Sequence, residues 1–312
     1  MKETTNLKLP QELIILGAAV ETGLFKQLEA KPLNAIKLAE KMEADRRAVW
    51  TLAEALLALG YLECSETGKY SLSNKTLKMM YEPDAPEFMG FAFMHQYNLI
   101  KRWIQLPQVV KNGKPARRKP EPEESRYFMD AMRHNAKTTA APIARLLLGK
   151  ARTGTRLLDI GGGPLFHARE FAKQGAQVHV LDRPDICKLM KPEADKLGVR
   201  MIPGDFLGKL PEDPYDIVYL GNICHIIGEP DNRALFKKVH QVLERNGCIA
   251  IVDFIRGGNP EADIFAINML VNTPAGGTWT FSQYSDWLGA AGFADIKLHL
   301  TDGRPLLTAR KF

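Results

Sequence analysis

The chain has 312 residues, of which 45% are hydrophobic and 25% charged, a globular composition that excludes a disordered or fibrous protein and fits about two domains. No apolar run approaches the ~18 residues of a bilayer span. The cysteines Cys64, Cys187, Cys224 and Cys248 stand far apart without a CxxC pair, which argues against a zinc ribbon or disulfide scaffold and for a reducing, cytoplasmic setting without a bound metal. The net charge of +6 is concentrated: residues 101–156 carry +10, and the segments on either side carry −2 each. An acidic N-terminal third is poor ground for nucleic-acid binding.

Leu13, Leu16, Val20, Leu24 and Leu28 recur at helical spacing and predict a helix over 11–29. The run 13–20 lies between Glu12 and Glu21, so it reads as a core helix and not as a signal peptide. Residues 33–42 form a second helical stretch. Asp45 is a good N-cap for a helix that carries Val49, Leu52, Leu56, Leu57 and Leu59 and stops at Gly60. Two short extended pieces, 61–63 and 69–72, flank Thr67-Gly68 and predict a hairpin. Helices followed by such a hairpin are the pattern of a winged helix-turn-helix, used to bind DNA or to pack and dimerise. Residues 84–150 are helical, interrupted by a basic Pro/Gly loop over 111–120 that contains Lys111, Lys114, Arg117, Arg118 and Lys119. The Met and aromatic side chains around it are core at this spacing, and a few can line a pocket for a flat apolar ligand.

From residue 155 strands alternate with helices. Extended runs at 156–160, 177–181, 199–202, 216–220 and 248–252 are separated by amphipathic stretches that include 165–174, 185–197 and 231–245. This alternation predicts a parallel sheet covered on both faces, closed by strands near 295–300 and 306–310. In such a sheet ligands bind at the carboxyl ends of the strands, and those ends carry the chemistry. The first leads through Asp159 into Gly161-Gly162-Gly163, where the backbone can approach a ligand closely. The second ends in Asp182, placed to accept hydrogen bonds from ribose hydroxyls; the third leads into Asp205 and Phe206, suited to an adenine amine and ring face. The fourth runs into Asn222 and His225, and the fifth into Asp253. NAD would account for the glycine turn and Asp182. S-adenosylmethionine is favoured because Asp159 would repel a pyrophosphate and attract a sulfonium or ammonium, and because Phe166 stands where GxGxxG needs its third glycine.

The segments 156–164 (RLLDIGGGP), 180–184 (VLDRP), 204–206 (GDF), 223–225 (ICH), 246–253 (NGCIAIVD) and 291–293 (AGF) occur in this order. Together they resemble the small-molecule S-adenosylmethionine-dependent O-methyltransferase family, which includes caffeic acid and acetylserotonin O-methyltransferases and bacterial polyketide and carotenoid relatives. The resemblance implies an α/β fold, a Rossmann-like class I methyltransferase domain with an N-terminal α-helical winged-helix dimerisation domain. Its expected divisions are 1–83 for dimerisation, 84–150 for linking helices that contribute to an acceptor cleft, and 151–312 for the catalytic domain. It further implies that Asp159, Gly161, Gly162 and Gly163 hold the methionyl part of the cofactor, with Asn222 close by. Asp182 takes the ribose, and Asp205 and Phe206 take the adenine. His225 falls at the general base and Asp253 at its orienting carboxylate. Phe128, Met132, Met269 and Trp279 fall on the acceptor side.

The chain departs from the family pattern at Leu165, at Gly221 (lysine in plant members), at Ile226 (Asp in many relatives) and after Gly276-Gly277, where a second carboxylate is missing. The acceptor is therefore open between a phenol, anionic where the basic loop steers it, and a carbon, nitrogen or sulfur nucleophile; a member of the family that uses the cofactor without methylating is a further alternative. A ligand-sensing winged-helix regulator is the alternative of a different class; the acidic N-terminal third and the His225–Asp253 combination favour the enzyme. The expected assembly is a homodimer, with no nucleic acid or membrane partner.

Overall fold

The computed structural model describes residues 9–117, 123–136, 139–149, 154–301 and 304–312. The chain divides into two compact units, one of Met1–Lys101 with Lys119–His134 and one of Arg102–Arg118 with Asn135–Phe312. Residues 84–150 are thus shared between them.

The first unit begins with α1 (Gln11–Glu21), α2 (Leu24–Ala30), α3 (Ala35–Met42) and α4 (Arg46–Ala58), followed by β1 (Leu62–Cys64) and β2 (Tyr70–Leu72), then α5 (Asn74–Met80) and α6 (Ala92–Trp103). The helix expected over 11–29 is two helices, because Gly23 adopts φ +75° and turns the chain. Side-chain caps start the next helices: the Lys37 amide donates to Asn34 at 3.0 Å and the Ala48 amide to Asp45 at 2.8 Å. β1 and β2 form an antiparallel hairpin with Leu62 opposite Leu72. Its inner face meets Leu24, Phe25, Leu38, Val49 and Leu56 in one core. The Tyr61 hydroxyl donates to Glu12 at 2.6 Å and that of Tyr70 donates to Glu54; burial and these carboxylates push both phenols up. Phe93, Met94 and Tyr127 join this core, the last from α8 (Glu124–Ala136). Between α6 and α8 lies α7 (Leu106–Asn112), which belongs to the second unit. Arg118 and Lys119 of the basic loop lie outside the described residues.

The second unit continues with α9 (Ala140–Leu148), β3 (Arg156–Ile160), α10 (Phe166–Lys173), β4 (Gln177–Asp182), α11 (Pro184–Leu197), β5 (Arg200–Pro203) and β6 (Tyr215–Gly221). After a single 3₁₀ turn at Cys224–Ile226 come α12 (Glu229–Val242), β7 (Leu243–Val252), β8 (Ile255–Arg256), α13 (Pro260–Asn272), β9 (Trp279–Thr280), α14 (Phe281–Ala290), β10 (Phe293–Thr301) and β11 (Arg304–Lys311). The sheet order is β10-β11-β7-β6-β3-β4-β5. β5, β4, β3, β6 and β7 run parallel, and β11 inserts antiparallel to both of its neighbours. Strand order therefore reverses between β3 and β6, and a crevice opens there at the carboxyl ends. β7 begins five residues earlier than the run 248–252 suggests, and α12 ends correspondingly early. Asn246 takes φ +65° within a register shift opposite Tyr215 and Ile217, so the turn-forming Asn-Gly pair is a bulge inside the strand. Leu158, Ile160, Val218, Leu220, Ile249 and Ile251 are fully buried, which explains why these strands read as continuous apolar runs.

Candidate active site

β3 delivers Asp159 into the crevice with 2% of its surface exposed. Burial, and then the charge of Asp182, raise its carboxyl to about 8. A Cβ at Gly162 would run into this carboxylate, and one at Gly163 into Ile186 and Asp182. Gly161 adopts φ +73° and donates its amide to the Leu181 carbonyl at 2.8 Å, which fastens the turn to β4. The glycines are thus required by close approach as well as by conformation. Leu165, at φ +60°, closes the turn ahead of α10 with its amide on the Gly162 carbonyl.

Asp182, the last residue of β4, accepts from the Gly163 amide at 2.8 Å and the Arg183 amide at 2.7 Å. Burial raises its carboxyl, and the two amides and the Arg183 charge oppose that rise. Beyond β5, Asp205 is exposed and accepts from the Leu207 amide at 2.9 Å, while Phe206 packs partly against the sheet core. Asn222 follows β6 at φ +60°, with its amide on the Val252 carbonyl at 2.8 Å. The strand ends named from sequence therefore do meet along one edge of the sheet.

His225 sits in the 3₁₀ turn after β6, and Asp253 follows β7. The His225 Nδ1–H donates to Asp253 Oδ1 at 2.6 Å, and Asp253 also accepts the amides of His225 at 3.1 Å and Phe254 at 2.7 Å. Their side chains are 8% and 0% exposed. A carboxylate on Nδ1 fixes the tautomer and leaves the lone pair on Nε2. The ring stands edge-on to Phe265 at 4.9 Å and to Phe254 at 6.1 Å, and these two phenylalanines stack at 3.9 Å. The loop itself is secured from behind: the Asn232 side-chain amide and the Trp279 indole N–H donate to the Cys224 carbonyl at 2.9 and 3.1 Å. The Gly277 amide donates to the His225 carbonyl at 2.9 Å.

Among the acceptor-side residues, Met269 is buried on α13, and Trp279 packs on Trp287 with its indole N–H already used. Phe128 and Met132 belong to the first unit; Phe128 is exposed with its ring edge-on to His95 at 5.5 Å, and Met132 is half-buried. Sequence reasoning passed over Phe254, Phe265, Asn232 and Arg304. Arg304 donates from β11 to Asn222 Oδ1 at 3.0 Å and covers the Phe254 ring. No His/Cys/Asp/Glu cluster able to hold a metal occurs among the described residues, and among them no helix is long and apolar enough to cross a membrane.

The site has the features that the methionyl end of S-adenosylmethionine needs: a buried carboxylate without a cationic partner among the described residues, and beside it a glycine cradle that a Cβ would fill. Known proteins agree with this chemistry. The family profile described as "O-methyltransferase domain" matches residues 106–294. Relatives include 3-hydroxy-5-methyl-1-naphthoate 3-O-methyltransferase of Streptomyces sahachiroi, 27% identical over 90% of this chain and 86% of its own. Acetylserotonin O-methyltransferase of Gallus gallus is 23% identical over 96% of this chain and 97% of its own. Of solved structures, PigF with SAH superposes with a TM-score of 0.78 at 21% identity, covering 96% of both chains. Human N-acetylserotonin methyltransferase in complex with SAM gives 0.73 at 22%, covering 96% of this chain and 94% of that one. These superpositions establish the class I methyltransferase fold. With a profile spanning more than half its length and a crevice built as described, the chain belongs to the S-adenosylmethionine-dependent O-methyltransferase family.

Proposed function

We propose that this chain methylates a hydroxyl of a small aromatic or polycyclic acceptor, with His225 as general base. The observation that carries this reading is the buried His225–Asp253 pair, 2.6 Å between Nδ1 and Oδ1, at the end of the sheet that holds the glycine turn. When bound, S-adenosylmethionine supplies a methyl carbon activated by its sulfonium. Asp159 would meet its positive end, with the Gly161–Gly163 backbone and Asn222 alongside. Asp182 would accept the ribose hydroxyls, and Asp205 and Phe206 would receive the adenine amine and ring.

The Nε2 lone pair is the group able to take a proton. A simple phenol near pKa ~10 is scarcely ionised at neutral pH, and an imidazole near ~6.5 is the usual agent for removing its proton. Asp253 then stabilises the imidazolium and holds the ring still, while Phe254 and Phe265 pack against one side of it. Displacement on an activated methyl needs little beyond alignment, so holding the acceptor oxygen in line is the remaining contribution of the protein. We assign acceptor contacts to Phe128, Met132, Met269 and Trp279. Two relatives support an aromatic acceptor, since their names specify a hydroxynaphthoate and a tetracenomycin polyketide.

We assign the first unit to a winged-helix dimerisation role. Trp50 is 51% exposed and Ile36 41%, apolar area that a second copy would cover. The setting we infer is the cytoplasm. Incubation with methyl-labelled S-adenosylmethionine and a panel of hydroxylated naphthoates and polyketide phenols tests the function. A labelled methyl ether supports it; transfer to carbon or nitrogen alone, or a binding heat with NAD and none with S-adenosylhomocysteine, overturns it.

A further inference from the structure

Arg304 opens β11, paired with Thr301 across the hairpin, and its guanidinium reaches back over the ends of β6 and β7. One of its N–H groups is used on Asn222 Oδ1 at 3.0 Å, and its flat face lies 4.7 Å from the centroid of Phe254. Among the described residues it makes no ion pair with a carboxylate, although it is half-buried. Next to it stand two further polar atoms without partners, the Tyr219 hydroxyl and His167 Nε2, both buried, with ring centroids 5.1 Å apart. The Tyr219 ring folds along β6 so that its hydroxyl lies 2.9 Å from where a Cβ of Gly221 would stand, at the ligand end of the strand. Burial and the charge of Arg304 lower His167 to about 4, so the imidazole is neutral, and burial keeps Tyr219 protonated.

The group therefore holds more donors than acceptors: a guanidinium, which only donates, beside a phenol and a neutral imidazole that can each do either. A buried set of donors is complemented by an anion with several acceptor oxygens. Tyr219 lies in the field of both Asp159 and Arg304. A carboxyl group and a guanidinium that act on one buried hydroxyl match the two ends of an α-amino acid. Asn222, which holds the guanidinium, immediately precedes Ile223, whose side chain packs on the Gly161 turn. Asn222 thus ties the guanidinium to the glycine turn on the cofactor side of the crevice, while its face rests on Phe254.

We propose that Arg304, with the Tyr219 hydroxyl beside it, forms the subsite for the α-carboxylate at the methionyl end of S-adenosylmethionine, opposite Asp159. The inference rests on the cofactor reading given above. Asn222 acts as a positioning residue that aims the guanidinium, and Phe254 supports its face.

Two ligands that differ only by the carboxylate, S-adenosylhomocysteine and S-adenosyl-3-thiopropylamine, isolate the contact by calorimetry. Arg304→Gln is expected to weaken S-adenosylhomocysteine by about 10- to 100-fold, the range of a charge-assisted bond. The same variant leaves the thiopropylamine within about twofold, and Arg304→Lys restores part of the loss. Equal losses for both ligands would show that Arg304 acts through the fold, and no loss would remove it from the site; either overturns the proposal. So does unchanged S-adenosylhomocysteine binding with a raised KM for a carboxylated acceptor, which would place the acceptor on this arginine. Asp182→Ala serves as the reference and should weaken both ligands alike. If it weakens neither, the cofactor reading itself fails and this inference falls with it; if it weakens both while Arg304→Gln weakens neither, only the inference fails.

Discussion

With Asp159 meeting the cationic end of the cofactor as proposed, cofactor affinity should be a steep function of pH. Its carboxyl, raised to about 8 by burial and then by Asp182, is roughly nine-tenths protonated near pH 7. A cationic ligand end needs the ionised form, so binding must expel that proton. From about pH 8 to about pH 6 the ionised fraction falls from roughly one half to roughly one hundredth. The affinity should fall by about 50-fold, or about 2.3 kcal/mol. Titration of S-adenosylhomocysteine in two buffers of different ionisation enthalpy should show close to one proton released per ligand near pH 7. The free protein responds in the opposite sense. Its folded carboxyl binds a proton more tightly than the unfolded one at 3.8, so the stability it contributes is complete below about pH 4 and is lost as pH rises through about 8. The unliganded chain should therefore melt at a lower temperature near pH 9 than near pH 5. Asp159→Asn should remove both dependences and bind weakly at every pH. A flat affinity between about pH 6 and 8 in the parent, or the absence of proton release, would refute the reasoning.

Gly162→Ala places a methyl against the Asp159 carboxylate and should reduce S-adenosylhomocysteine affinity by more than about tenfold at unchanged far-UV circular dichroism, an overpacking penalty of about 1–3 kcal/mol; unaltered affinity would show that the turn is not the cradle. Asp253→Asn turns into a donor one of the two oxygens that between them accept from His225 Nδ1, the His225 amide and the Phe254 amide. It should lower the melting temperature through a loss of about 1–3 kcal/mol and reduce kcat less than removal of the imidazole does, as thermal melts and steady-state rates would report. Light scattering at micromolar concentration should give a dimer for the parent and a smaller species for Trp50→Lys; a monomeric parent would end the assignment of the first unit to dimerisation.

The sheet was legible because its strands are apolar runs broken by glycine and acidic residues, and both features have direct structural causes. Leu157, Leu158 and Ile160 are fully buried, and Asp159, Asp182 and Asp253 stand at or beside the carboxyl ends of strands, the edge where a sheet of this kind offers its crevice. The caps Asn34 and Asp45 act locally and could be read locally. Gly23 was not legible as a break, since an isolated glycine in a helical pattern is compatible with a continuous helix. Nor was the bulge at Asn246, where turn chemistry sits inside a strand held by its neighbours. Arg304 and Phe265 escaped for a different reason. Each reaches the site from a segment remote in sequence, and neither carries a motif; only the insertion of β11 beside β7 brings the guanidinium over Phe254 and Asn222.

The central claim is that His225 removes the acceptor proton, and the dependence of its contribution on acceptor acidity tests this most directly. Single-turnover rates of the parent and His225→Ala, at saturating cofactor, are compared for matched phenols of pKa about 10 and about 6. The account predicts a loss of about 10²- to 10⁴-fold for the weaker acid, shrinking to less than about tenfold for the acceptor already ionised, with S-adenosylhomocysteine affinity unchanged. Equal losses for both phenols, or near-parental turnover of the weakly acidic one, would contradict it.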